Sequence, residues 1–415
     1  MISHASTERT MTSDDIRVLL EQAFSDSNWH GQRVLVIIPD ATRSAPIPLM
    51  FRLLYEALGQ QVAQLDYLIA LGTHQPMSEA AIAKLVGVTE AEQQQHYPKS
   101  RVFNHRWDMP EQLVTIGVID EAEMNSLSEG LVTRETPITV NKLIHDYDQL
   151  LICGPVFPHE VAGFSGGAKY LFPGIAGPQI IDSSHWLGAL STSMDTIGVQ
   201  DTPVRRVFHR AAKFVDKPIT CLKMVVTHDD LYGLFIGDLY NSWQAAAELS
   251  AKLHIHYVDT PYQRVLSMPS TKYDDLWTAA KAMYKTEPAI ADGGEVIIYA
   301  PHLTEVSVTH GELINQVGYH VRDYFTKQWD SFKDIPWTIL AHSTHVKGKG
   351  IFEDGIETPR IQVTLATGIP KDICDQINLG YRDHREITPD TWAGREAEGI
   401  LLVENAGEQL YRLRS

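Results

Sequence analysis

Arg33-Val34-Leu35-Val36-Ile37-Ile38, followed at once by Pro39-Asp40-Ala41-Thr42-Arg43, decides the fold. The first part is short and nearly all apolar, as expected of a parallel strand buried on both faces. The second part is a polar turn, and an apolar-periodic segment from about Pro46 to Leu58 then reads as a helix. The same grammar recurs downstream. A strand over Leu65 to Leu71 ends in Gly72-Thr73-His74, with a helix from about Ser78. A third strand, Gln149 to Cys153, runs into Gly154-Pro155-Val156-Phe157-Pro158-His159. Upstream, Ser13 can cap a helix whose apolar stripe is Ile16, Leu19, Leu20, Ala23 and Phe24, with Asp14 and Asp15 at its positive end. Strand, polar turn and helix in alternation predict an open α/β sheet. Ligands of such sheets gather beyond the carboxyl ends of the strands, where Asp40, Arg43 and His74 would lie.

Beyond these elements, Asp259 to Pro269 reads as a crossing between domains. A helix near Asp274 to Lys285 follows, then strands at Val296–Tyr299, Trp337–Ala341 and Ile361–Thr367, which make a second α/β unit. The expected fold is α/β: two α/β domains with mostly parallel sheets and the active site in the cleft between them. Residues 1–262 form the N-terminal domain with the glycine loop and the histidines, and 263–395 the C-terminal domain; the terminal strands within 396–415 fit either.

Composition narrows the function. A chain of 415 residues, 44% hydrophobic and 21% charged, suits a soluble globular protein of two domains. A formal charge of −17 argues against nucleic acid as a partner, since phosphate backbones need a basic face. A small anionic substrate then needs its own local cluster of Lys, Arg and His. The three cysteines, Cys153, Cys221 and Cys374, are far apart, which offers neither a CxxC pair nor a disulfide framework. The start lacks the pattern of a signal peptide and no apolar run is long enough for a membrane span, so no membrane partner and a cytoplasmic location are expected.

Chemistry concentrates in His159-Glu160-Val161-Ala162-Gly163-Phe164-Ser165-Gly166-Gly167-Ala168-Lys169. Glycines let backbone N–H groups approach an anion, and a closing lysine adds charge, so the loop reads as a phosphate cradle or as a plain tight turn. It is not a Walker A loop, because Lys169 is followed by Tyr170. His185, in Ser183-Ser184-His185-Trp186, stands at an expected helix start and suits either a core hydrogen bond or a metal. His74 is kept out of helical geometry by Pro76 and serves equally as a cap or a functional base. Asp40 with Arg43 reads alone as a helix cap and a surface cation. Of the remaining histidines, His342 and His345 follow an expected strand and suit a structural role. His254 and His256 alternate on a strand face where exposure is expected, and His302 is unassigned.

Taken together the motifs are more specific than any one alone. Asp-x-Thr-Arg after one strand, Gly-Thr-His-x-Pro-Met after the next, His-x-x-x-Gly-Phe-Ser-Gly-Gly-x-Lys after a third, and then His185, resemble the lactate racemase family in order and spacing. Leu276-Trp277-Thr278-Ala279-Ala280-Lys281-Ala282 extends the resemblance into the second domain. The resemblance implies a nickel-pincer nucleotide, a nicotinic-acid-derived mononucleotide joined to Lys169, with His185 completing the nickel coordination. It implies His74 and His159 as acid and base, and Arg43, Lys281 and Thr278 at the substrate. It also places Asp40, Ala41, Thr42, Arg43, Ser165, Gly166, Gly167 and Trp277 at the cofactor.

The chemistry accords with these roles. Taking the C2 hydrogen as hydride avoids a carbanion beside a carboxylate. Two imidazoles then serve enantiomers whose hydroxyls point in opposite directions. Implied partners are a 2-hydroxy acid and the cofactor-synthesis enzymes, with the oligomeric state open. Lactate-specific members carry a Tyr-Gln pair where Trp277 and Thr278 stand, so a longer or hydroxylated acid such as an aldonate is expected. The competing expectations are a metal-dependent lyase or dehydratase using His74, His159 and His185 as ligands, and a non-catalytic phosphate- or nucleotide-binding protein.

Overall fold

The structure, a computed structural model, describes residues 1–414. The chain divides into two compact units that interleave in sequence. One is formed by residues 1–157, 164–181 and 205–253, the other by 158–163, 182–204 and 254–415.

The first unit is built on a seven-stranded sheet. Its order is Ile2–Ala5, Asp230–Gly237, Ile219–Thr227, Gln149–Pro155, Arg33–Ile38, Gln64–Ile69, Val102–Asn104. The last five strands are mutually parallel, and the strands Ile2–Ala5 and Asp230–Gly237 attach antiparallel at one edge. Val34 to Ile38 are all buried, which accounts for the unbroken apolar run. Helix Ile47–Leu58 packs into the same core through Met50, Phe51 and Leu54. The first helix, Ser13–Ala23, is capped by Thr12 and not by the expected Ser13. Asp15 explains the difference: its carboxylate accepts from the Thr12 backbone while Thr12 Oγ1 accepts from Asp15 N–H, a reciprocal box that Ser13 cannot make.

The second unit holds a five-stranded, all-parallel sheet in the order Gly380–Tyr381, Gln362–Thr367, Ile290–Ala300, Tyr262–Pro269, Ile400–Ala406. Tyr262–Pro269, expected as a crossing, is therefore an interior strand of this sheet. Both terminal strands lie in this unit, the second, Leu410–Leu413, pairing with Ile255–Val258. Trp337–Ala341, expected as a strand, opens the helix Trp337–Lys347 instead. A short apolar run fits a buried helix as well as a strand, and Asp182 decides here by accepting hydrogen bonds from Thr338 N–H (3.0 Å) and Oγ1 (2.5 Å). His342 and His345 consequently lie one turn apart on a helix. His254, expected to be exposed on a strand, ends the helix Asn241–His254 and is fully buried, whereas His256 is exposed as expected. Among the described residues no helix is long and apolar enough to cross a membrane.

Candidate active site

In the first unit, strands Arg33–Ile38 and Gln64–Ile69 are parallel neighbours, so their outgoing turns leave one edge together. Asp40 and His74 meet there, with His74 Nδ1 2.5 Å from Asp40 Oδ2. A carboxylate only accepts, so the imidazole proton sits on Nδ1 and the lone pair on Nε2. Thr42 donates to Asp40 Oδ1 through its hydroxyl (2.6 Å) and its backbone N–H (3.0 Å). Burial alone would raise the Asp40 pKa. The charge and hydrogen bond of His74, the charge of Arg43 and the Thr42 hydroxyl outweigh it and hold the carboxyl well below the usual range. Trp107 donates through Nε1 to the His74 carbonyl (3.1 Å), fixing the backbone of the turn. Ala41 is exposed, while Thr42 and Arg43 are part-buried.

The glycine loop returns to this edge. Gly72 N–H donates to the Gly174 carbonyl (3.0 Å), and Gly174 N–H donates to that of Lys169 (3.1 Å), so the His74 turn is tied to the Lys169 segment. Tyr170, next to Lys169, feels the charges of Arg43 and Asp40. The loop is anchored from beneath. Ser165 Oγ accepts from Phe157 N–H (2.8 Å), and Trp243 Nε1 donates to the Ser165 carbonyl (2.8 Å). Arg205 donates to the carbonyls of Gly166 (3.0 Å) and Phe164, with its guanidinium 4.3 Å from the Trp243 ring centre. Gly166 and Gly167 have φ of +79° and +61°, and a Cβ on either would meet Val156 or Trp243 within 3.0 Å. Their glycine identity thus follows from conformation and close packing. Lys169 is part-buried.

In the second unit, His159 is 6% exposed, and its Nδ1 accepts from Val161 N–H at 3.1 Å. That bond leaves the proton on Nε2, the opposite arrangement to His74. Glu160 Oε2 is 3.4 Å from the same Nδ1, ready to pair when the ring is protonated. His185, expected at a helix start, lies well inside the helix Pro178–Ser191, and neighbouring Trp186 stacks on Trp329 (5.4 Å, 19°). Lys281 is 7% exposed; its Nζ donates to the Thr278 carbonyl (3.2 Å) and sits 4.6 Å from the Tyr273 ring centre. Thr278 Oγ1 bonds Asp275 (2.8 Å) as part of the helix cap. Trp277 is stacked face to face with His342 (3.8 Å, 9°) and flanked by His310 (4.7 Å). His302 bonds the Tyr273 carbonyl (3.2 Å).

The structure places Asp40, Arg43, His74 and Lys169 in one unit and His159, His185, Trp277, Thr278 and Lys281 in the other, whereas His159 and His185 were expected in the N-terminal domain; their short segments, 158–163 and 182–204, cluster with the second unit. Sequence reasoning missed Arg205, Trp107 and the Glu160 carboxylate beside His159. Arg205 did leave a signal: it lies on the buried face of the helix Pro203–Ala212 beside Val204 and Phe208, where a cation needs a reason.

The chain resembles known proteins in sequence and in fold. Residues 16–198 match the lactate racemase N-terminal domain. The chain is 25% identical over 275 residues to the lactate racemase of Thermoanaerobacterium thermosaccharolyticum, a match covering 65% of this chain and 60% of that protein. It is 23% identical over 272 residues to that of Lactiplantibacillus plantarum, covering 64% and 59%. These matches span about three-fifths of the length of the curated relatives. Among solved structures, a Thermotoga maritima protein superposes with a TM-score of 0.90 at 31% identity, over 98% of this chain and 99% of that one. The lactate racemase apoprotein of T. thermosaccharolyticum superposes with a TM-score of 0.71 at 20% identity, over 98% and 94%, a likeness of fold. With motifs and domain match in agreement, residues 16–198 of the chain form a lactate racemase N-terminal domain.

Proposed function

We propose that this protein is an isomerase, a racemase or epimerase that inverts C2 of a 2-hydroxy acid. One observation carries the reading: the two histidines rest in complementary states. His74 holds its proton on Nδ1 against Asp40 and keeps a lone pair on Nε2, while His159 accepts at Nδ1 and carries its proton on Nε2. One imidazole is set to take a hydroxyl proton and the other to give one, as inversion through a planar keto acid requires.

The residues present fit the nickel-pincer nucleotide of the family. Lys169 offers a part-buried amine on a loop tied to the His74 turn, and His185 offers an imidazole, a donor suited to nickel. Held by Lys169 and His185, the group would supply a hydride acceptor for the C2 hydrogen. The remaining work falls to the chain. Asp40 keeps His74 in one tautomer and stabilises it once protonated, as Glu160 does for His159. Arg43 and Lys281 hold the substrate carboxylate and hydroxyl, the local cations that a −17 chain must concentrate for an anionic substrate. Thr278, with its hydroxyl on Asp275, leaves room where a longer side chain would reach in, which supports a substrate larger than lactate, such as an aldonate. The enzyme is cytoplasmic and is loaded by the cofactor-synthesis enzymes.

The test is direct. Protein produced with the cofactor-synthesis enzymes is assayed for inversion of lactate, malate, 2-hydroxyglutarate and gluconate. Inversion of a longer acid faster than lactate is the expected result. Lactate far ahead of the others rejects the substrate assignment, and no inversion of any of them rejects the reaction.

A further inference from the structure

Strand Val102–Asn104 runs parallel to Gln64–Ile69, with Asn104 beside Ile69, so the chain leaves both strands at one edge of the sheet. The exit from Gln64–Ile69 carries His74, and the exit from its neighbour begins Asn104-His105-Arg106-Trp107. The second exit reaches back to the first. The Asn104 side-chain amide donates to the Met77 carbonyl (2.8 Å) and accepts from Met77 N–H (3.0 Å). Both halves of the amide are used, which fixes its orientation. Trp107 Nε1 donates to the His74 carbonyl (3.1 Å). Between them His105, fully buried, donates from Nε2 to the carbonyl of Ala176, beyond Lys169 on the glycine loop (2.9 Å).

The His74 turn depends on these outside partners. Pro76 has no N–H to donate, and the next helix starts only at Glu79. The backbone from His74 to Met77 is therefore held at its two ends by Trp107 and Asn104, while the His74 ring is held at Nδ1 by Asp40. The two constraints fix different things. Asp40 decides which nitrogen carries the proton, and the backbone bonds decide where the Cα that bears the ring stands. A misplacement of about 1 Å in a reacting group costs on the order of 10²-fold in rate, so the second constraint matters to a proton transfer as much as the first.

We infer that Asn104 and Trp107 are positioning residues for His74, a clasp that sets the place of its ring, with His105 tying the same segment to the loop that carries Lys169. The inference rests on the proposed reaction, in which His74 exchanges a proton with the substrate hydroxyl, and it adds two residues that act through His74. Such a clasp governs turnover more than binding, because the substrate carboxylate falls to Arg43 and Lys281. A merely structural role would lower the amount of folded protein and leave the turnover of each loaded molecule unchanged.

The experiment uses Trp107→Phe, which keeps an aromatic ring and removes the donor, and Asn104→Ala, which removes both bonds to Met77. In protein loaded by the cofactor-synthesis enzymes, with rates counted per adduct-bearing molecule, each should lower kcat by about 3- to 10-fold and change KM by less than about 2-fold. Nuclear magnetic resonance of cofactor-free protein with isotopically labelled histidine supplies a readout independent of turnover. The His74 Nδ1 proton, held against Asp40, gives a downfield signal identified by its loss in His74→Gln, and this signal should shift or broaden in both variants. Thermal unfolding identifies a variant that fails to fold; Asn104→Asp, which keeps the acceptor, then replaces Asn104→Ala, and either folded variant decides. An unchanged kcat per loaded molecule, or a His74 signal left in place, overturns the clasp. If the loaded wild type inverts no acid, the proposed reaction alone is rejected, and the His74 signal judges the clasp by itself: displaced in a folded variant it upholds the clasp, unmoved it overturns it.

Discussion

His74 Nδ1 and Asp40 Oδ2 are 2.5 Å apart, joining the ends of two adjacent parallel strands through one proton. Asp40 is 7% exposed and held ionised by His74, Arg43 and Thr42, so the carboxylate is spent on orienting His74. Substituting Asp40→Asn removes the charge and frees the ring to adopt the other tautomer. Loss of an orienting carboxylate of this kind lowers kcat by on the order of 10²- to 10⁴-fold. The ratio of kcat/KM in the two directions is fixed by the equilibrium constant, so both enantiomers must lose rate equally. Progress curves from each enantiomer check this, and an unchanged rate removes Asp40 from the machinery.

On the proposed reading Lys169 carries the tether and His185 retains the metal, and two substitutions test these roles separately. In protein made with the cofactor-synthesis enzymes, intact-mass spectrometry should find an adduct of several hundred daltons that Lys169→Ala abolishes. His185→Ala should keep the adduct and lose most of the nickel, read by elemental analysis. An adduct that survives Lys169→Ala places the attachment elsewhere.

Arg205 pins the glycine loop from beneath by two carbonyl bonds and a stack on Trp243. Arg205→Met keeps volume and removes the donors, leaving the Phe164 and Gly166 carbonyls without them. A loss of about 3 kcal/mol in unfolding free energy is expected. A larger fractional loss of adduct on Lys169 than of folded protein would show that the loop, beyond the core, has loosened.

His105 and His345 set an acid limit on stability. His105 donates from Nε2 to the Ala176 carbonyl (2.9 Å) and accepts at Nδ1 from Asn141 (3.1 Å), an arrangement open only to the neutral ring. Burial lowers the pKa of each histidine to about 4. The unfolded chain therefore binds the extra protons first as pH falls. Stability is full above about pH 6.5 and declines toward pH 4, with an upper bound on the order of 3 kcal/mol for each ring. Urea midpoints at pH 7 and pH 5 measure the effect, and equal midpoints would remove both rings from the acid limit.

The legible parts of this fold are those where local chemistry has one solution. Val34–Ile38 and Leu150–Cys153 are apolar throughout because both faces of their strands are covered, and the polar turns after them announce a sheet edge with a site. Tyr262–Pro269 was missed because Gln263, Arg264 and Ser267 break its apolar pattern. Ser267 is satisfied by the distant Ala282 carbonyl (2.7 Å), and Arg264 lies over Trp392 with Glu295 3.8 Å away. Trp337–Ala341 was misread because Asp182, far away in sequence, supplies the helix start.

For the site the division is similar. The sequence by itself determined which groups are available: Asp40, Arg43, His74, His159, Lys169, His185 and Lys281 stand in family order, and residue type fixes what each can donate or accept. Only the tertiary structure decided which ring nitrogen of His74 and of His159 carries the proton, since that depends on partners that no spacing reveals. Asp40 reaches His74 across a sheet edge, the Val161 amide turns back onto His159, and the Trp277 carbonyl selects the tautomer of His342. A hydrogen bond is directional over about 3 Å, so its partner is chosen by the folded backbone and not by proximity along the chain.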